Sequence, residues 1–291
     1  MGAAGVPASG VTASDPVDSG WGSCEGFPAF SVLDTSRSVP RRIRDTAAVS
    51  SVPAAAAAGT AAPRPVPSAV AFCPCPPLLV PAVAGRAAED TAALRAACAT
   101  AVDALLAVRP EVVVVVGGNE AGVRFGRGDG GDLRGFGVDL AVPFAGGVRP
   151  GGRRTPLAHT VGAWLLDGAG YAGSRLGVGP DALADALADL IGPVGVLAMG
   201  DGSARRSLTA PGHLDEAAEP FDDAVAAALA AGDADALAAL DATEGARLLA
   251  SGVPTWRAVG AVLTGRAVTG RLHAHEAPFG VGYLVADWAA R

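Results

Sequence analysis

The chain contains no lysine, no glutamine and a single asparagine, Asn119, while Ala, Gly, Arg and Val dominate its 291 residues. That bias fits a GC-rich coding sequence, so the abundance of alanine carries no functional message. An excess of positive charge is also missing. The formal net charge is −7, and residues 67–291 hold 24 acidic against 17 basic side chains, which argues against general nucleic-acid binding. Cys24, Cys73, Cys75 and Cys98 lack the spacing of a zinc site or a disulfide framework, and a reduced cytoplasmic setting is the simplest reading. No apolar run approaches the roughly 20 residues that a bilayer requires. The start, Met1 to Val6, has neither a basic n-region nor an apolar h-region, and Val6 interrupts the myristoylation pattern. A soluble, unexported protein with no nucleic-acid or membrane partner is expected, and its oligomeric state is left open.

What is present begins with a contrast in texture. Residues 1–67 are rich in Ala, Pro, Ser and Gly without a period of 2 or 3.6, the composition of a disordered tail. Trp21, Phe27 and Phe30 are either a short partner-binding motif or bystanders in that tail. Residues 68–291 read as one domain organised around Glu111-Val112-Val113-Val114-Val115-Val116-Gly117-Gly118-Asn119. Five consecutive valines cannot alternate between core and water, so they predict a strand buried on both faces, as in a parallel sheet. Ala69–Phe72 and Val194–Met199 predict two more, each running into a small or polar loop.

The remaining pattern fills in an α/β order. A helix is expected over Ala87–Ala107, with a right-handed parallel crossover into the valine strand. Glu120–Gly137 is too polar for core and reads as a functional or mobile loop, followed by a strand at Val138–Val142. Thr155 is expected to cap a helix to Leu166, and Asp181–Ile191 to form another. Pro220–Leu263 reads as helical, interrupted at Gly232 and around Gly252-Val253-Pro254, and Ala267–Glu276 with Gly280–Ala286 reads as a terminal hairpin. The fold expected is a single three-layer α/β domain with a central, largely parallel or mixed sheet, its site at the carboxyl edge.

Three blocks carry a resemblance: Cys73-Pro74-Cys75-Pro76-Pro77-Leu78-Leu79-Val80-Pro81, Gly200-Asp201-Gly202-Ser203-Ala204-Arg205-Arg206, and Glu276-Ala277-Pro278-Phe279-Gly280-Val281-Gly282-Tyr283. In order and spacing they resemble the LigB-type class III extradiol dioxygenase superfamily, over roughly residues 69–288. The resemblance implies an oxidoreductase that opens catechol rings with O2 on Fe(II) held by two histidines and a glutamate, a further histidine moving protons. Glu276 stands where that glutamate is wanted. At the other positions the chain departs from the pattern. Cys75 takes the place of the first iron histidine, Asn119 stands nearest to the second, and Ala204 occupies the position of the acid/base histidine. A thiol and an amide do not replace the two imidazoles that suit ferrous iron, so ring cleavage is expected to be weak or absent. The alternative is a non-catalytic small-molecule-binding or scaffold protein on the same fold, with Fe(II) or no cofactor at all.

The candidate metal ligands are therefore Glu276, Cys75 and Asn119, and the candidate catalytic residues Asp201, Arg205 and His213. Asp201 and Arg205 flank a glycine turn after a buried strand, which is either a ligand site or an Asp capping its own turn. Cys75 reads more simply as a small buried residue in a proline-rich turn. His213 either swings over the Asp201 loop or stays on the surface. His273 and His275 alternate along a strand, so they are expected to share one face while Glu276 points to the other. His159 reads as surface. Hydrolytic chemistry on Ser203 or Cys75 lacks a recognisable base.

Overall fold

A computed structural model describes residues 66–118 and 121–290. The expectations for residues 1–65 and for Asn119 lie outside those residues. The order of elements is β1 (Ala69–Cys73), α1 (Pro81–Ala84), α2 (Ala92–Ala107), β2 (Val112–Val116), β3 (Arg124–Phe125), β4 (Gly130–Asp132), β5 (Ala141–Pro143), α3 (Leu157–Gly168), β6 (Ser174–Val178), α4 (Leu183–Ala188), β7 (Val194–Met199), α5 (Ala218–Ala231), α6 (Ala234–Ala238), α7 (Ala242–Arg247), α8 (Val253–Leu263), β8 (Val268–Glu276) and β9 (Tyr283–Ala290).

The three apolar runs form the middle of a seven-stranded mixed sheet with the order β3-β6-β2-β7-β1-β9-β8. Strands β6, β2, β7 and β1 are mutually parallel, β9 pairs antiparallel with β1 and β8 antiparallel with β9 at the edge, and β3 closes the far side antiparallel to β6. Both faces of the central strands are covered, which is why their sequences do not alternate. Val70, Phe72, Val114, Val116, Val196 and Ala198 face one core with Val225 and Leu229 of α5 and Trp256 and Val259 of α8. Ala71, Cys73, Val113, Val115, Leu197 and Met199 face the other, with Leu94, Cys98 and Leu105 of α2 and Val161 and Leu166 of α3. The expected three-layer α/β arrangement is therefore present. Among the described residues no helix is long and apolar enough to cross a membrane.

Several local expectations need correction. Only the later part of Ala87–Ala107 is α-helical, since Gly85–Thr91 winds as a tighter 3-10 helix first. The glycine-rich stretch after Asn119 is not plain loop: it supplies β3 and β4, and Phe125 and Leu133 are buried. Buried Asp129 organises it, accepting from the backbone N–H of Gly126 and Arg153 and from the Arg153 side chain. The next strand is displaced to β5, and the helix expected to Ile191 ends at Ala188, with Ile191 exposed. Thr155 does not cap α3; its hydroxyl meets that of Thr160 at 2.9 Å. His159 is fully buried rather than on the surface, lying near the Phe125 and Phe144 rings with Nε2 3.1 Å from Val178 O.

Candidate functional site

Parallel neighbours carry their carboxyl ends to one edge, and there the chain places Cys75 after β1, Gly117-Gly118 after β2 and Asp201 after β7. The β8–β9 hairpin turns at that edge as well, because β9 runs antiparallel to β1. Gly200 hands the chain from β7 into the site: its N–H donates to Cys73 O, and a Cβ here would sit 2.3 Å from the Gly252 Cα. Only glycine permits that approach.

Asp201 is held at three points. Its carboxylate Oδ1 accepts the Cys75 N–H at 2.8 Å, its own N–H donates to Ser251 Oγ at 3.3 Å, and its carbonyl accepts the Gly252 N–H at 2.8 Å. The side chain is half-buried, and burial pushes its pKa up to about 6 although the Cys75 N–H pulls the other way. No cation takes part in that balance. Cys75 is half-buried too, and desolvation followed by the charge of Asp201 raises its thiol well above the ordinary value. Tyr283 completes the cluster from β9. Burial first, then the charges of Asp201 and Cys75, push its phenol up. At neutral pH the thiol and phenol are thus hydrogen-bond donors, and Asp201 is poised to exchange a proton.

Glu276 joins by register. It pairs directly with Tyr283 across the hairpin, so both side chains lie on the α2–α3 face. Its Oε1 is buried and has no hydrogen-bond partner among the described residues. A buried acceptor left so is costly and calls for an explanation.

Two of the expected catalytic residues stand apart. Arg205 is not among the groups that set the Asp201 charge: its side chain packs by Gly212, its charge acts on Asp215, and its Nε is buried without a partner among the described residues. His213 is exposed in a left-handed conformation (φ 58°), with Nδ1 2.9 Å from Leu208 O in its own loop. Ser203 is fully buried and donates its hydroxyl to Leu248 O, a structural role. Asn119 is outside the described residues.

The expectation that His273 and His275 share a face is overturned by a β-bulge. The register shifts between Leu272 and Ala274, making His273 the extra residue. It turns onto the Glu276 face, where Nε2 lies 2.5 Å from Asp287 Oδ1. His275 keeps to the opposite face, near Arg206 (3.4 Å) and Asp223 (3.7 Å).

Residues without an assigned role in the sequence reading weld the site together. Gly202 N–H donates to Gly282 O, Gly282 N–H to Ser203 O, and Arg206 N–H to Gly280 O, stitching the loop after β7 to the hairpin turn. Beneath the stitch, fully buried Asp222 accepts from the Ser203 N–H and the Arg206 guanidinium. Tyr283 lies in the third block of the resemblance, with no role attached to it there. Ser251, Gly252 and Asp222 carry no local signature.

A ferrous site of two imidazoles and a carboxylate does not fit what the described residues offer here. Cys75 holds its proton, Asp201 and Glu276 are carboxyls, Tyr283 is a phenol, and each histidine is turned to another partner. Among the described residues no group of three or more His, Cys, Asp or Glu side chains is arranged to hold a metal ion. No protein-family model matches the chain, and no curated protein matches it.

Proposed function

We propose that the chain is a class III extradiol dioxygenase-like domain that has kept the carboxyl-edge site but not ferrous ring cleavage, and that it binds a small hydroxylated molecule there. The observation that carries this reading is Asp201, fixed at three points, desolvated and without a compensating cation. A carboxyl held that way lowers stability when ionised, the usual mark of a group kept for binding or proton transfer. The orphaned Glu276 Oε1 supplies an acceptor, and the Cys75 thiol and Tyr283 phenol supply donors. A hydroxylated ligand satisfies all of them without a metal. In this arrangement Asp201 moves the proton that family resemblance would assign to a histidine, whose position is Ala204 here.

The test is calorimetric titration of dialysed protein with protocatechuate, chosen for its paired hydroxyls, without and with added Fe(II), alongside oxygen uptake. Binding independent of iron, weakened roughly tenfold or more in Glu276→Gln, with no oxygen uptake, is the expected result. Iron retained in stoichiometric amount, with oxygen uptake that disappears in Glu276→Ala, would restore the ring-cleaving reading.

A further inference from the structure

A cleft of about 790 Å³ opens at the other edge of the sheet, away from Asp201. Its position follows from the strands: Glu111 immediately precedes β2 and Ser174 begins β6, so the cleft sits where the parallel strands start. Its volume lies within the range of small-molecule sites.

The floor of this cleft is rigid, and its charge is paired. The Arg175 side chain is 6% exposed and ion-paired to Asp167 at 2.7 Å. Its guanidinium also donates to the carbonyls of Phe144, Ala163 and Tyr171. The Tyr171 ring lies beside it, 5.8 Å from the guanidinium carbon, with the hydroxyl anchored to Pro110 O and Ser174 O. These groups are satisfied and stay in place when a ligand arrives.

The rim is different. Arg127 and Glu111 both line the cleft and both are exposed. Neither side chain makes a hydrogen bond or ion pair with any described residue, including each other. Opposite charges that share a concave surface without meeting leave room for a molecule that bridges them. We propose that this cleft is a second ligand site, selective for a small zwitterion of the α-amino acid type. The ligand's carboxylate takes the Arg127 guanidinium, whose planar fork suits a two-oxygen acceptor, and its ammonium takes Glu111. A ligand with only one of these charges leaves the other rim group facing it unanswered, which sets the specificity.

The experiment screens the free α-amino acids one by one for thermal stabilisation of the full chain, then titrates the strongest by calorimetry beside its methyl ester and its N-acetyl derivative. Native protein should prefer the free amino acid to either derivative by roughly ten- to a hundredfold. In Arg127→Ala the acid and its ester should bind alike, and in Glu111→Gln the amine and its N-acetyl form should bind alike. Both residues are exposed and unpaired, so neither variant endangers folding. Asp201→Asn, at the far edge, should leave the titration unchanged. If no amino acid stabilises the protein at millimolar concentration, or native protein binds acid, ester and acetylated forms equally, the proposal is overturned.

Discussion

At the residue scale Asp201 makes the sharpest forecast. Its pKa is raised from 3.8 to about 6 in the folded protein, so the native state holds the proton more tightly than the unfolded chain does. The stability that the protonated form enjoys is fully present below the unfolded value and is lost as pH rises through about 6. The whole effect is at most about 3 kcal/mol, and less because the side chain is partly solvated. Asp201→Asn keeps an oxygen for the Cys75 N–H and removes the titration. It should therefore be more stable than the native protein at pH 8 and nearly equal to it at pH 4, which urea midpoints at the two values would show. Equal midpoints at pH 8 would mean that Asp201 is no more desolvated than a surface carboxyl.

Asp222 extends the same logic to a fully buried group. Burial raises its pKa, against the lowering pull of the Ser203 N–H and then of Arg206. Arg206→Ala leaves that carboxylate without its cation, a loss of about 3–5 kcal/mol when charged. Because Asp222 escapes the penalty by taking up a proton, the variant should lose less stability at pH 5 than at pH 8. A loss independent of pH would assign the role of Arg206 to packing alone.

Among the elements, the hairpin of β8 and β9 decides the site. Its turn fits against the loop after β7 so closely that a Cβ on Gly282 would lie 2.0 Å from Asp222 Oδ2. Gly282→Ala is expected to destabilise the fold by about 2–4 kcal/mol. It should also weaken protocatechuate binding by displacing Tyr283, whereas Gly135→Ala, where an added Cβ meets nothing, should leave that binding unchanged. Parts of this architecture were legible in advance. The valine run was readable because burial on both faces suppresses alternation, and the hairpin because its pattern was strong at both ends. The bulge at His273 was not, since a single extra residue changes which face each side chain takes without changing composition. Nor were β3 and β4, whose two and three residues are held by Asp129 and by tertiary contacts rather than by periodicity, and the strand expected at Val138–Val142 is displaced to Ala141–Pro143. Within the site, Cys75 and Asp201 could be placed together from strand ends alone. The lock of Asp201 on Ser251 and Gly252 comes from an approach of two loops 50 residues apart that no local pattern records.

For the molecule as a whole, the sheet sets an order of local stability. β1, β2 and β7 are almost wholly buried and hydrogen-bonded on both sides, whereas β3 is a two-residue edge and β4–β5 a separate two-stranded ribbon. Amide exchange should be slowest at Val114, Val196 and Ala71 and fastest around Arg124 and Gly130. Protection in the β4–β5 ribbon equal to that of β2 would contradict this order.

The place of β9 in the sheet bears on how the protein is made. β1 leaves the ribosome long before its two neighbours, β7 and β9, and β9 is the final strand of the described chain. Until it emerges, one side of β1 is a bare apolar edge, open to pairing with a strand from another nascent chain. Ribosomes stalled just before Tyr283 should therefore carry a chain prone to association and dependent on chaperones. Emergence of β9 closes that edge and assembles Tyr283 against Asp201 in the same event.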